Sequence, residues 1–258
     1  MPSWIKCPNV TISPDASYDS NGVLTPMVVR LPDRGYRMYY MGASPMNAGT
    51  IFSAFSDDLE NWQKEPGIRI DREKNDMIER VLAPDIIKIS ENFWRMYYEA
   101  HLTNKKRVIL SAVSEDLLNW SREAGVRVKS KVYDCGAPKC IRLENGSYRL
   151  FFYSYPRPFK SGINSGNHII SALSCDGITF ELENGIRIPQ DCEKYENYTV
   201  YAPEIVRTQD DSWLMYFSGW NSEGIRCTKG RIFSATSKDS FHWTKDKSIV
   251  INNGGIYD

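Results

Sequence analysis

The feature that most constrains this 258-residue chain is a motif that occurs four times. Each copy contains Ser-x-Asp and, four residues after the Asp, an aromatic residue. The serine and aspartate pairs are Ser56 and Asp58, Ser114 and Asp116, Ser174 and Asp176, and Ser237 and Asp239. The aromatic residues are Trp62, Trp120, Phe180 and Trp243. A period of roughly fifty to sixty residues indicates an architecture that repeats a small sheet.

The copies also share a series of strand-forming segments. They cover approximately residues 24–70, 83–128, 136–188 and 201–250. Each has four short segments rich in β-branched and aromatic residues, separated by Gly, Pro, Asn and Asp, and no long window has a helical period. This pattern predicts an all-β protein, a β-propeller of four-stranded antiparallel blades. We expect each Ser-x-Asp turn to cap its own backbone, and its aromatic residue to cover the edge of its own blade.

The two ends of the chain predict an incomplete blade. Trp4 and Ile12 match Trp62 and Ile70 at the end of the first copy, so residues 1–23 read as an outer strand plus a lead-in. The prediction is therefore a five-bladed type with four full repeats, although four blades closed by an added amino-terminal strand fit the same pattern. Even composition predicts one domain over residues 1–258. An exposed blade edge makes self-association an open alternative.

Composition excludes several classes of partner. The 32 Lys and Arg residues balance the 32 Asp and Glu residues, so nothing favours nucleic acid or an anionic membrane. No signal peptide or membrane-spanning stretch is apparent, and the six cysteines lack metal-ligand spacing, which together favour a cytoplasmic protein with reduced thiols. No cofactor or metal site is predicted. A structural cation in the channel stays an open alternative.

The repeat resembles the five-bladed propeller glycosidases of the glycoside hydrolase family 43 and 32 group. The resemblance covers essentially the whole chain and rests on Ala83-Pro84-Asp85-Ile86, on the Arg-Met-Tyr-Tyr runs, and on Ser-Ala-x-Ser-x-Asp-x4-Trp. It implies a carbohydrate substrate and three acidic residues, usually two in Asp-Pro and one in Glu-Gly-Pro. Here Thr25 and Ala137 precede their prolines, and Glu204 follows its proline.

Propeller topology indicates where a site would form. The starts of first strands and the ends of second strands lie at one mouth of the channel, so their residues converge on one funnel. The candidate catalytic carboxylates are Asp85, Glu204, Asp19 and Asp134. The candidate substrate-binding residues are Glu99, His101, Tyr155, Arg157, Trp220 and Asn221. Facing carboxylates can act as acid and base on a glycosidic bond, aromatic rings can stack on a sugar, and an arginine can orient hydroxyls.

Structural roles compete with these assignments. Asp19 and Asp134 follow tyrosines in turns where Asp commonly caps backbone amides, and Glu99 with His101 suits a structural hydrogen-bonded pair. Three functions therefore stay open. The first is hydrolysis of a small glycoside by funnel carboxylates. The second is a non-catalytic carbohydrate-binding propeller. The third is a scaffold recruited to cyclisation or isomerisation of another small molecule.

Overall fold

The computed structural model describes residue 4 and residues 11–72, 77–130, 133–156, 167–190, 199–220 and 230–252. Only the backbone is described for Tyr133, Tyr155, Pro156 and Trp220. The chain divides into two compact units. We call Cys7–Arg127 the amino-terminal unit. Val128–Asp258 together with Met1–Lys6 forms the carboxy-terminal unit.

The amino-terminal unit contains two four-stranded antiparallel sheets, blades 1 and 2, whose strands follow one another in chain order. Blade 1 consists of β1 (Gly22–Arg30), β2 (Tyr36–Ser44), β3 (Asn47–Ser56) and β4 (Gln63–Lys64). Blade 2 consists of β5 (Ile78–Ser90), β6 (Phe93–Leu102), β7 (Arg107–Ser114) and β8 (Ser121–Glu123).

The carboxy-terminal unit contains blades 3 and 4 of the same kind. Blade 3 consists of β9 (Tyr133–Arg142), β10 (Tyr148–Pro156), β11 (His168–Ser174) and β12 (Glu181–Leu182). Blade 4 consists of β13 (Thr199–Arg207), β14 (Trp213–Trp220), β15 (Gly230–Ser237) and β16 (Thr244–Lys245). The predicted four strands per repeat are therefore confirmed. Among the described residues there is no helix, and so none that is long and apolar enough to cross a membrane.

Each unit has its hydrophobic core between its two blades. In the amino-terminal unit, Tyr39 and Ile51 of blade 1 pack with Met96 and Tyr98 of blade 2. The carboxy-terminal core combines Phe151 and Ile169 of blade 3 with Met215 and Phe217 of blade 4. Side chains alternate along a strand, so the residues between these core positions lie on the opposite face of each blade, outside the core.

The repeated Ser-x-Asp turn caps its own backbone, as predicted. Asp116 Oδ1 accepts hydrogen bonds from the N–H groups of Leu118 and Asn119 at 2.8 and 2.7 Å, and Ser114 Oγ accepts one from Leu117 at 2.8 Å. The turn needs a left-handed residue, here Leu117 with φ of 61°. Burial opposes ionisation of Asp116, but the backbone N–H donors lower its pKa to about 2.

In two copies the aromatic residue after this turn packs on the preceding blade, so the prediction that it covers its own blade edge is wrong there. Trp62 packs with Tyr40 and Phe52 of its own blade. Trp120 meets Tyr39 of blade 1 edge-on at 5.8 Å, and Trp243 meets Phe151 of blade 3 in the same way at 5.9 Å. The large apolar surface of a Trp is better hidden at the seam between two sheets than at a solvated edge.

Arginines of the second strands join the same seams. Arg37 pairs with Glu65 of its own blade at 2.7 Å and donates to the Leu117 carbonyl of the next blade at 3.1 Å. Arg149 of blade 3 reaches the Asp239 carbonyl of blade 4 in the same way, at 3.1 Å. Each arginine thus ties its blade to the turn of the following blade.

Every first strand carries a bulge where its proline lies. The residue before the proline adopts a positive φ between 45° and 53°, which is unusual outside glycine; these residues are Thr25, Ala83, Ala137 and Ala202. The strand pairing shifts by one residue there, which is the definition of a bulge. The residue after the proline then faces an aromatic residue of the second strand. In blades 1 to 4 this post-proline position holds Met27, Asp85, Lys139 and Glu204.

Candidate active site

Asp85 occupies the post-proline position of blade 2 and is almost completely buried, at 2% exposure. Its cross-strand partner on β6 is Tyr97. The next residue, Ile86, packs into the core shared with blade 1. Since neighbouring side chains point to opposite faces of a strand, Asp85 lies on the face of blade 2 that is turned away from blade 1.

Glu99 and His101 extend the same face along β6, because they follow Tyr97 at intervals of two residues. Glu99 is also 2% exposed. Its Oε1 atom lies 2.7 Å from His101 Nε2, a hydrogen bond that requires a proton between these two atoms. The predicted residues Asp85, Glu99 and His101 thus lie on one face of one blade.

Strand geometry sets the spacing of the two carboxylates. Glu99 is the diagonal neighbour of Asp85 across the β5–β6 pair, since Asp85 pairs with Tyr97 and Glu99 follows two residues later. The bulge between Leu82 and Asp85 lies between the Asp85–Tyr97 and Leu82–Glu99 pairs, so the two acidic residues are close neighbours on adjacent strands of one face. Catalysis of glycoside hydrolysis requires two carboxyl groups that flank one bond.

The bulge before Asp85 is fixed from blade 1. Ala83 has φ of 50°, and its N–H group donates to Thr25 Oγ1 at 3.0 Å. Without that acceptor the N–H group at the bulge would lose its partner, which is costly for a half-buried donor. Thr25 is therefore a positioning residue for Asp85.

Glu204 occupies the post-proline position of blade 4 in a different setting. Its side chain is 51% exposed, and its Oε1 atom lies 2.6 Å from Lys139 Nζ. Lys139 fills the same position of blade 3 and is itself buried. Tyr201, at the start of β13, meets Tyr153 of β10 edge-on with ring centres 6.3 Å apart. These residues form the corresponding region of the carboxy-terminal unit.

Asp19 has a structural environment. It is fully buried, its Oδ1 atom accepts the Ala16 N–H at 2.9 Å, and its Oδ2 atom lies 2.6 Å from Lys64 Nζ. Residues 11–21 cover the face of blade 1 formed by Tyr40 and Phe52, where Ile12 and Tyr18 pack. The ion pair fastens this covering segment to β4.

The remaining candidate site residues lie next to, or outside, the residues that the structure describes. Asp134 lies on β9 opposite Tyr155 and is half-buried. The strand positions of Tyr155 and Trp220 are known, but their side chains are not described. Arg157 and Asn221 lie outside the described residues. Catalytic or binding roles for all these residues stay predictions.

Three contributors escaped the sequence reasoning: Lys139, Thr25 and Tyr153. The repeat itself marks the first, because Lys139 follows Pro138 as Asp85 follows Pro84. The sequence marks Thr25 only as a departure from Asp-Pro, because its contact with Ala83 depends on the packing of two blades. Within the part of the chain that the structure describes, no three His, Cys, Asp or Glu side chains are arranged to hold a metal ion.

The family model for the glycosyl hydrolases family 32 N-terminal domain matches residues 2–143, which is more than half of the chain. The chain belongs to this family. It is a glycoside hydrolase-like protein, as the resemblance implies. No curated protein sequence matches it.

Solved structures share the fold of this chain. A protein described as a glycoside hydrolase aligns with a TM-score of 0.75 and 16% identity, over 96% of this chain and 79% of that one. An endo-arabinase from Bacteroides thetaiotaomicron gives 0.69 and 16%, over 87% and 80%. A structure from work on glycoside hydrolases of the GH130 family of mannoside phosphorylases that target β-1,2 mannosidic linkages in Candida mannan gives 0.70 and 16%, over 91% and 73%. The family 32-like chain therefore has the predicted β-propeller fold of four-stranded antiparallel blades, four of which the structure describes.

Proposed function

We propose that this protein hydrolyses a glycosidic bond with Asp85 and Glu99 as its acid and base. The observation that carries the proposal is the burial of both carboxylates on one face of blade 2, diagonal to each other across β5 and β6. One carboxyl group protonates the leaving oxygen while the other activates water or attacks the anomeric carbon. The family membership of the chain supports the reaction class.

His101 is the positioning residue of this pair. Its Nε2 atom shares a proton with Glu99 Oε1 at 2.7 Å, so Glu99 is held in one orientation with a proton within reach. That arrangement favours Glu99 as the residue that exchanges a proton with the sugar oxygen. Asp85, at the bulge held by Thr25, is then the second carboxylate.

Glu204 is proposed to orient substrate rather than to transfer a proton. Its carboxylate is paired through Oε1 with the ammonium group of buried Lys139, 2.6 Å away. With half of its side chain exposed, it can accept hydrogen bonds from sugar hydroxyls while it stays paired. The tyrosines at positions 153 and 201 offer ring surface nearby in the carboxy-terminal unit.

We also propose the five-bladed form of the propeller, with Trp4 and residues 11–21 belonging to the fifth blade. Trp4 meets Tyr216 of blade 4 edge-on at 5.6 Å, as Trp120 and Trp243 meet their own preceding blades. Ile12 packs on Tyr40 of blade 1. Ile70, the equivalent residue of blade 1, shares a core with Tyr98 of blade 2 in the same manner.

The test is hydrolysis of a panel of aryl glycosides of neutral sugars by the wild type, Asp85→Asn and Glu99→Gln. The control is Glu91→Gln, an exposed carboxylate in the turn between β5 and β6. We expect Glu91→Gln to hydrolyse the glycosides as fast as the wild type. Asp85→Asn and Glu99→Gln should lose activity and keep the unfolding temperature of the wild type. Wild-type activity that survives both substitutions would overturn the assignment.

A non-catalytic carbohydrate-binding propeller is the second candidate. It is favoured by the post-proline positions of blades 1 and 3, which hold Met27 and Lys139 rather than carboxylates. In that case no glycoside in the panel is cleaved at any pH, but neutral sugars still bind. Calorimetric titration of the same sugars separates this candidate from the hydrolase.

A further inference from the structure

Two residues meet at one end of the seam between blades 3 and 4, within the carboxy-terminal unit. Asn167 directly precedes β11, and Thr199 begins β13. The N–H group of Val200 donates to the Asn167 carbonyl at 3.4 Å, which brings the two segments side by side. Neither residue belongs to the acid/base pair proposed for blade 2.

Both residues bury a polar atom that finds no hydrogen-bond partner in the described part of the chain. Asn167 is 7% exposed. Its Oδ1 atom and Thr199 Oγ1 are buried, and neither has a hydrogen-bond partner among the residues that the structure describes. A buried polar atom without a partner destabilises the folded state, so two adjacent ones are unusual in a structural seam. Such atoms are typical of a surface shaped for a hydroxyl-bearing ligand.

Aromatic rings flank these atoms. Tyr201 follows Thr199 by two residues and therefore shares its side of β13. Tyr153 lies across from Ile169, two residues beyond Asn167, and meets Tyr201 edge-on. An amide, a hydroxyl and two tyrosine rings are the groups that recognise a sugar, whose face is apolar and whose rim carries hydroxyls.

Among the residues that the structure describes, three polar or charged groups of this seam are neutral or compensated. His168 is neutral, because its Nδ1 atom accepts the Gln190 N–H at 3.1 Å and burial lowers the pKa of its ring. Lys139 is compensated by Glu204. Asn167, Thr199 and the two tyrosines carry no charge. This seam therefore suits an uncharged ligand better than a phosphate or a uronic acid, which need unpaired cations.

We propose that Asn167 and Thr199 form a binding subsite for the hydroxyl groups of a neutral sugar, flanked by Tyr153 and Tyr201. Thr199 Oγ1 can both donate and accept, and Asn167 can accept through its oxygen and donate through its nitrogen. The subsite deepens the proposed function, on which it rests for the class of ligand. It makes Asn167 and Thr199 determinants of sugar specificity.

The test is calorimetric titration with a panel of neutral mono- and disaccharides, together with a uronic acid and a sugar phosphate. Binding is measured in an Asp85→Asn background, so that hydrolysis cannot consume the sugar. Thr199→Val keeps the side-chain shape and removes only the hydroxyl. The control is Thr236→Val, an exposed threonine of β15 in the same blade.

We expect Thr199→Val to weaken binding of the neutral sugar about three- to tenfold, the effect of one hydrogen bond. Its melting temperature without sugar should be equal to or above that of the parent, because an unpartnered buried hydroxyl is removed. Asn167→Leu should act in the same direction, and Thr236→Val should change neither property. A sugar affinity unchanged in Thr199→Val, or stronger binding of the anionic sugars, overturns the proposal.

The subsite and the proposed function fail separately. Hydrolysis that depends on Asp85 but is insensitive to Thr199→Val removes the subsite and keeps the enzyme. Sugar binding that depends on Thr199, in a protein that cleaves no glycoside, keeps the subsite and removes the enzyme.

Discussion

Blades 2 and 4 are built on the same pattern, yet their post-proline residues are in opposite environments. Asp85 is buried on the same face as Glu99, whereas the Glu204 side chain is 51% exposed and paired with Lys139. Strand register is the same in both, since each carboxylate lies opposite a tyrosine of the second strand. Equal backbone position therefore does not give equal chemistry; the neighbouring side chains decide it.

The second strands of the two blades differ as well. Blade 2 has Arg95, whose Nε atom lies 2.7 Å from Glu123. Blade 4 has Leu214 at the corresponding position, and the same face of β14 receives Trp4 on Tyr216. Comparison between the blades therefore separates two kinds of residue. Residues that recur in several blades build seams and turns, whereas residues that differ from the repeat are candidates for function.

The largest expected effect separates Asp85 from Glu204. Asp85→Asn should lower kcat by about 10²- to 10⁴-fold, the usual effect of losing an acid/base group. Glu204→Gln should leave kcat near the wild-type value and raise KM by less than about tenfold. Steady-state kinetics on the cleaved aryl glycoside measure both constants. A loss of kcat in Glu204→Gln as large as in Asp85→Asn would make Glu204 a reacting group.

The next effect concerns Arg95, the second-strand arginine of blade 2. Arg95→Met removes the charged partner of Glu123, which keeps the hydrogen bond from Ser111 Oγ. The two paired side chains are 6% and 18% exposed, so unfolding should require about 3–5 kcal/mol less. Leu214→Arg in blade 4 should change the free energy of unfolding by no more than about 0.5 kcal/mol. Urea denaturation measures both. Similar losses of unfolding free energy in the two variants would mean that the second-strand positions 95 and 214 contribute equally to the stability of their blades.

A smaller effect on stability separates Trp243, which belongs to blade 4, from Trp4, which packs on blade 4. Trp243→Ala removes a side chain packed between blades 3 and 4 and should cost about 3 kcal/mol. Trp4→Ala, with 53% of the residue exposed, should cost about 1 kcal/mol. Thermal unfolding checks the order. A larger loss for Trp4→Ala would show that the amino-terminal segment is a major stabilising element.

The smallest effect is a pH dependence that should be alike in both units. The pKa values of Asp116 and Asp176 are lowered to about 2 from 3.8, so their stabilisation is full above 3.8 and is lost as the pH falls towards 2. Both residues are exposed, and screening limits the contribution to about 1 kcal/mol each.

Asp116→Asn and Asp176→Asn should therefore destabilise the protein at neutral pH and have no effect near pH 2. Urea denaturation across this pH range measures the difference, and Glu91→Gln is the control. If the loss of unfolding free energy were as large at pH 2 as at neutral pH, it would come from the geometry of the turn and not from the charge of the aspartate.

Local rules in the sequence were sufficient for the blades and their turns. The period-two patterns predict the strands, and Ser114 with Asp116 predicts a turn that caps its own backbone; both predictions are confirmed. The contact of Trp120 with Tyr39 was predicted wrongly, because seam packing depends on how two sheets meet and not on the residues within one sheet. The predicted single domain over residues 1–258 stays a prediction.

The candidate site was predictable only in part, for the same reason. Strand ends identified Asp85, Glu99 and His101, which do share a face. Asp19 satisfied the same positional rule, but its pairing with Lys64 depends on residues 45 positions apart. The sequence does not show that Asp85 is buried and Glu204 is exposed, because both residues follow a proline in nearly identical strands.

The hydrogen bond from Ala83 to Thr25 has a consequence for how such a chain can evolve or be engineered. A blade that carries a reactive carboxylate does not set its own bulge, because the acceptor belongs to the blade before it. Shuffling, duplicating or grafting blade 2 by itself would leave that acceptor behind and displace Asp85. The smallest portable module that includes Asp85 therefore comprises two consecutive blades.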